Sequence, residues 1–347
     1  MKVLKYLLWA ILILVVLFVI FLIYSTIDNY NPPESEIVIT NENAVVISDS
    51  VFSAVSWNIG YAGLDSTMDF FYDGGEKVRP EKEAVKRNIQ GILQTVDRFR
   101  GTSFILLQEV DKNSKRSYKN DIYAMLCDQF SEYHSGFGKN YDVAFVPLPP
   151  SEPMGKVVSG LQTLSLPEPQ KIERYSFPGN YSWPMSVFML DRCFLKNTYP
   201  LANGKSLVMI NTHNSAYDDG SLRQQQMDFL KGILQDEYEK GNYVIVGGDW
   251  NQCPSGFVPK FHDDIFDTDD LLYIEPGYPA ADWTWAFDAE YPTNRRVMKP
   301  YKVGETPTTL IDYFLLSPNI ELLDVSGFDL DFTYSDHQPV RINFRLN

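Results

Sequence analysis

The sequence predicts an α/β layered domain preceded by one transmembrane helix. Three observations predict it: an unbroken apolar run near the N-terminus, strand-length apolar runs alternating with amphipathic helical stretches from Val51 onward, and a length of 347 residues, enough for one large core plus an accessory segment. Hydrophobic residues at 44% and aromatic residues at 14% supply the apolar area such a core needs. No stretch after residue 50 has the low-complexity composition of disorder, and there is no internal repeat.

The first element is the run LLWAILILVVLFVIFLI, residues 7–23. As a helix it reaches about 25 Å, near the hydrocarbon thickness of a bilayer. Tyr6 and Tyr24 flank it, Lys2 and Lys5 precede it, and the next basic residue is Lys77. That asymmetry predicts a single-pass membrane protein with its N-terminus cytoplasmic and the rest of the chain extracytoplasmic. A cleaved signal peptide is the competing reading, but YSTIDNYNPPESE offers no good small-residue cleavage site, and no nearby cysteine could carry a lipid. Residues 1–24 therefore read as an uncleaved signal anchor. Residues 25–50, with Pro32, Pro33, five acids and no Lys or Arg, read as a solvated stalk, and 51–347 as the globular domain.

Within that domain VFSAVSW (51–57), SFILLQ (103–108), SLVMINT (206–212), YVIVGG (243–248) and TLIDYFLL (309–316) have strand length and strand composition. Ala84, Val85, Ile89, Ile92, Leu93, Val96 and Phe99 keep helical spacing between the first two. Leu222, Met227, Leu230 and Leu234 predict a second helix before YVIVGG. Each strand carries at its C-terminal edge a polar residue able to bind metal or phosphate: Asn58, Glu109, His213, Asp249 and Asp312. Sites collect where strand ends converge, so the pattern is itself a site prediction.

Five clusters carry the chemistry: SWNIG with Asn58, LLQEVD with Glu109, NTHNSA with His213, GGDWNQ with Asp249 and Asn251, and YSDHQPV with Asp336 and His337. Carboxylates and amide oxygens are hard ligands suited to Mg2+, Mn2+ or Ca2+, with imidazoles left for proton work. Hydrolysing a phosphoester requires a base for water, a cation against the phosphoryl charge and preorganised donors, and all three residue types are present. Singly, Asn58 reads equally as a turn residue, Asp312 as a buried carboxylate serving the backbone, and Asp336 with His337 as a loop cap.

As an ordered set, Asn58, Gln108-Glu109, Thr212-His213, GDWN (248–251), IDYFLLS (311–317) and SDHQPV (335–340) resemble the endonuclease/exonuclease/phosphatase superfamily over nearly 300 residues. The resemblance implies a four-layer sandwich of two mixed β-sheets flanked by helices, and a divalent-metal-dependent phosphoester hydrolase. It makes Glu109 the principal metal ligand, with Asn58 close to it and Asp336 contributing. His337 would activate the attacking water, oriented by Asp312; Asp249 and Asn251 would position nucleophile and phosphoryl oxygens, and His213 would stabilise the developing charge or serve the leaving group. Magnesium is the implied cofactor, with manganese or calcium as alternatives.

Other features read more plainly. Cys127, Cys193 and Cys253 are widely spaced, with no zinc or disulfide framework, and His134 and His262 lie outside any motif. The loop 61–80 reads either as packed surface or as a substrate-selecting rim. Trp283, Trp285, Arg295 and Arg296, in the irregular 275–307 region, read either as a phosphate-stacking patch or as a structural hairpin. Without Lys2, Lys5 and the five stalk acids, residues 51–347 hold 28 basic and 40 acidic residues, a net charge of −12 with no basic run. That balance favours a lipid headgroup or small phosphate ester over nucleic acid as substrate partner. The membrane, through the N-terminal helix, is the other partner; no protein partner is indicated. A catalytically inactive scaffold is the alternative class, against which the full motif set argues.

Overall fold

The computed structural model describes residues 2–216, 220–261, 265–268 and 271–347. The apolar run forms helix α1 (Lys2–Ile27), long and apolar enough to cross a membrane, as a signal sequence also would be. It stands exposed until its last turns, where Phe21 stacks on Phe188 with ring centroids 5.7 Å apart and meets Phe145 edge-on at 6.1 Å.

The domain runs β1 (Ser35–Thr40), β2 (Val51–Asn58), α2 (Lys82–Asp97), β3 (Phe104–Asp111), α3 (Ile122–Gln129), β4 (His134–Val146), β5 (Gly155–Ser165), β6 (Lys171–Ser176), β7 (Cys193–Pro200), β8 (Ser206–His213), α4 (Ser221–Glu239) and β9 (Tyr243–Asp249). There follow β10 (Ile265–Phe266), β11 (Thr284–Ala286), β12 (Asn294–Arg295), β13 (Pro307–Thr309), β14 (Asp312–Leu316), β15 (Ile320–Gly327) and β16 (Val340–Leu346). One large sheet has the order β1-β6-β7-β8-β9-β14-β11 and the other β15-β16-β2-β3-β5-β4, while β10, β13 and β12 form a small third sheet. Both large sheets are mixed: β2 and β3 run parallel, as do β8 and β9, and their remaining pairings are antiparallel.

Strand alternation explains the layering. Phe52, Ala54, Phe104 and Leu106 of one sheet meet Leu207, Met209, Ile245, Phe314 and Leu316 of the other in a shared inner core. The intervening residues face outward. Val55, Trp57, Ile105 and Leu107 pack under α2 and α3, and Val208, Ile210, Val244 and Val246 under α4. The result is helix, sheet, sheet, helix: the four-layer α/β architecture the resemblance implies.

Two expectations are corrected. Residues 25–50 are not stalk throughout, because Ser35–Thr40 pairs antiparallel with β6, from Ser35 opposite Tyr175 to Thr40 opposite Lys171. Val38 and Ile39 pack there on the cluster of Leu161, Ile172, Cys193 and Leu195, an apolar gain that outweighs the acidic surroundings. The run 309–316 is two strands rather than one. Leu310 and Ile311 cross from the small sheet to the large one, and the Ile311 and Asp312 amides donate to Thr293 Oγ1 at the crossing, each at 3.0 Å.

Candidate active site

At one end of the inner core the same alternation continues but the residue types turn polar. Ser56 and Asn58 follow Phe52 and Ala54 in parity, Gln108 follows Phe104 and Leu106, and Asn211 and His213 follow Leu207 and Met209. Gln108 Nε2 donates to Asn211 Oδ1 at 2.8 Å, and Asn211 Nδ2 to the Leu107 and Gln162 carbonyls. These bonds make the buried polar layer affordable and floor the site.

Register delivers the carboxylates. His213 lies opposite Asp249, and Asp249 opposite Asp312. Asp312 opens its strand instead of closing it, contrary to the expectation for strand ends; β14 runs antiparallel to β9, so its first residue reaches the same edge. Glu109 needs a different device. Parity would turn it to the helix side, but the β3–β5 register slips between Leu107 and Val110, and Glu109 takes φ +56°, a bulge that re-aims its side chain. His337 and Asp336 lead into β16, whose Val340 sits opposite Ser56, so they pass just beyond Asn58. Trp57 Nε1 holds the His337 carbonyl at 3.0 Å. Gly60, at φ +49°, lies so close that a Cβ there would stand 2.9 Å from Asp336 Oδ1.

His337 Nδ1 lies 2.8 Å from Asp312 Oδ2, a contact that bridges the two sheets. A carboxylate accepts, so Nδ1 carries the hydrogen and Nε2 is directed at the cluster. Around Nε2 stand Asn294 Nδ2 at 3.0 Å, Asn58 Nδ2 at 3.5 Å and Asp249 Oδ2 at 3.7 Å. Burial lowers the proton affinity of His337, but Asp312, Asp249 and Asp336 outweigh it and hold the ring well above the usual imidazole range. His213 is the opposite case. Burial, reinforced by Arg192, His337 and Arg116, keeps it well below that range, so its 3.4 Å contact with Asp249 is that of a neutral ring and not an ion pair. Two buried histidines in one site thus differ in proton affinity by environment.

Asn251, at φ +51°, donates its backbone N–H to Asp249 Oδ1 at 3.0 Å and its Nδ2 to the Asn214 carbonyl at 2.9 Å. Asn58 Nδ2 donates to Asp249 at 3.0 Å and to Glu109 at 3.4 Å, while its Oδ1 accepts from the Gly60 amide. In this arrangement Asn58 spaces the two carboxylates and does not offer them an oxygen. All eight residues singled out from the sequence therefore lie at this one end of the sandwich.

The donor set fits a hard divalent cation. Glu109 is partly exposed and its contacts to Asn58 and to Arg116, at 3.4 and 3.9 Å, are long. Asp336 is pushed up to about 7, first by burial and then by Glu109, against the pull of His337 and Arg295. Negative charge is thus under-compensated on this side. A second acidic group is also close-set, since ligand atoms of Asp249, Asp312 and His337 lie within 4.8 Å of one another. Here Asp312 Oδ2 is already engaged by His337.

Two neighbours were missed from sequence. Arg116 grips Asp111 through Nε and Nη2, reaches Glu109 and lies 3.7 Å over the Tyr61 ring. Asn294 faces His337 Nε2. Arg116 sits in DKNSKR, which reads as a solvated loop, and Asn294 in a stretch without periodicity, so neither carried a signal. Both irregular regions contribute packing. Tyr61, Leu64, Met68, Phe70 and Val78 make 61–80 a packed loop. Trp283 is buried in the core, and buried Arg295 donates to the Asp65, Arg296 and Lys299 carbonyls, so these two residues are structural, while Asn294 of the same region faces His337. Arg296 pairs with Asp267. His134 is exposed on β4, His262 lies outside the described residues, and the three cysteines are free.

The profile described as Endonuclease/Exonuclease/phosphatase family matches residues 55–337. No curated protein sequence matches the chain. Among solved structures it is similar to an endonuclease/exonuclease/phosphatase from Beutenbergia cavernae DSM 12333, at TM-score 0.57 and 18% identity over 86% of this chain and 72% of that one. It is also similar to ANGEL2, a 2',3'-cyclic phosphatase in complex with adenosine-2',3'-vanadate, at TM-score 0.55 and 15% identity over 89% and 99%. The human Nocturnin catalytic domain with bound sulfate gives TM-score 0.53 and 14% identity over 91% and 99%. At such identities the likeness is one of fold.

Proposed function

The chain belongs to the endonuclease/exonuclease/phosphatase family, and from that premise we propose that it is a membrane-anchored, divalent-metal-dependent phosphoester hydrolase. The observation that carries the reading is the Asp312–His337 pair at 2.8 Å, with Nε2 facing a cluster of carboxylates and amides. Asp312 fixes the ring with Nε2 toward the cluster. The surrounding carboxylates favour a proton on that ring, and the charge of a bound cation would lower that affinity, leaving Nε2 free to take a proton from water while Asp312 stabilises the imidazolium that forms. Asp249 and Asn251 position that water and the phosphoryl oxygens, while neutral His213 donates toward charge developing on the ester. A divalent cation held by Glu109 and Asp336, with Asn58 alongside, would neutralise charge on the non-bridging and leaving oxygens; magnesium is the first choice, manganese or calcium the alternatives.

Residues 1–24 act in this reading as an uncleaved anchor that leaves the N-terminus cytoplasmic and the domain of residues 51–347 extracytoplasmic. A lipid headgroup or small phosphate ester is the favoured substrate, because the domain's net charge of −12 opposes duplex binding and a tether raises the local concentration of lipid. The test is hydrolysis of a chromogenic phosphodiester, phospholipid vesicles and duplex DNA by the full chain, with and without chelator, across a salt series. Chelator-sensitive turnover that Glu109→Gln and His337→Ala each reduce by about 10² to 10⁴ is expected. Near wild-type turnover by His337→Ala would overturn the mechanism. Steeply salt-sensitive DNA cleavage with vesicles untouched would replace the substrate class.

A further inference from the structure

We infer that the loops around the base of α1 seat in the lipid leaflet which that helix enters, so that the bilayer surface is the binding partner of this face of the domain. The inference rests on the reading of α1 as a membrane span and goes beyond it, since a tether alone would leave the domain free of the lipid.

The level of the domain is set by one residue of α1. Phe21 lies two residues before the end of the apolar run at Ile23, which is about 3 Å of helix from the hydrocarbon edge. Its ring stacks on Phe188 and meets Phe145, and both belong to the domain. A helix that crosses the bilayer with Phe21 inside it therefore brings these two rings to the boundary between hydrocarbon and headgroups. The same two segments carry large apolar side chains that the described residues leave partly uncovered. Phe145 is 39% exposed, Leu148 47%, Trp183 61% and Met185 53%. Single exposed hydrophobics are ordinary, but four from two neighbouring segments, both touching one membrane-length helix, form a patch that water does not favour and an interface does. Trp183 adds the chemistry of an interfacial residue: its indole N–H donates to Thr26 Oγ1 at 3.1 Å, just past the apolar run, while its ring stays open to the surroundings.

The patch also adjoins the site. Tyr141 donates to the Phe188 carbonyl at 3.0 Å and lies 5.7 Å from the Arg116 guanidinium, which in turn is 3.9 Å from Glu109. Two side chains separate the proposed lipid contact from the carboxylate.

The experiment reconstitutes the full chain in vesicles of equimolar phosphatidylcholine and phosphatidylglycerol whose acyl chains are brominated near the headgroup. Emission quenching is compared among the wild type, Trp183→Phe and Trp9→Phe. Loss of a quenched component in both variants is expected, Trp9 reporting the spanning helix and Trp183 the seated loops. If the Trp9 component is quenched and the Trp183 component is not, the seating is wrong and the anchor stands. If the Trp9 component is unquenched, α1 does not span and the inference falls with that reading.

Discussion

Between Asp312 and His337 a buried carboxylate fixes the hydrogen on Nδ1, and an asparagine at 312 would fill the same space while allowing its amide to donate to that nitrogen instead. The ring would then present Nε2–H to the cluster, the wrong tautomer for a base. Asp312→Asn is expected to lower kcat by about 10² or more with KM little changed, because proton transfer belongs to the transition state and not to binding. Steady-state kinetics beside a far-ultraviolet circular dichroism spectrum checks both halves. Unchanged kcat would mean that Asp312 is only a buried carboxylate serving the backbone through Thr293. Arg116 illustrates a different residue-scale lesson. Its guanidinium holds Asp111 and stands near Glu109, yet its sequence neighbours are the polar residues of an ordinary loop, and only the closing of that loop over Tyr61 gives it a role.

At the scale of elements, α4 is attached through few apolar positions, Met227, Leu230 and Leu234 among them, against the outer face of the β8–β9 pair. Leu230 is fully buried, so Leu230→Ala is expected to cost about 2–5 kcal/mol and to lower Tm visibly in thermal denaturation. A shift too small to measure would mean that the helix repacks. Elements buried on both faces were the legible ones. β2, β3, β8 and β9 lie in the centres of the sheets and read as near-continuous apolar runs. Edge and outer strands were illegible for the converse reason. β4, with its glycines and charges, mixes buried with partly exposed residues, β15 buries Ile320 alone, and β1 hid its Ile37-Val38-Ile39 run among acids. The site followed the same rule. Asn58, His213 and Asp249 stand out as polar stops to apolar runs, whereas Asn294, on the two-residue β12, is brought to His337 by an isolated bridge.

For the whole molecule, the basic residues before α1 and their absence from 6 to 76 predict that the domain faces outward. Protease added to intact spheroplasts is expected to digest it; full protection until lysis would reverse the orientation. The sandwich also has a temporal consequence under heat. Asn58, Glu109 and His337 come from one sheet or its connections, His213, Asp249 and Asp312 from the other, and the Asp312–His337 contact is a caliper set across the seam. A slip of about 1 Å in such a constellation costs on the order of 10² in rate, whereas the hydrogen-bonded ladders within each sheet do not depend on how the two sheets are aligned. Catalysis should therefore fail first on warming, with turnover falling at temperatures where circular dichroism still reports every strand in place. Superimposable inactivation and melting curves would show that the two sheets let go of each other only when the whole domain does.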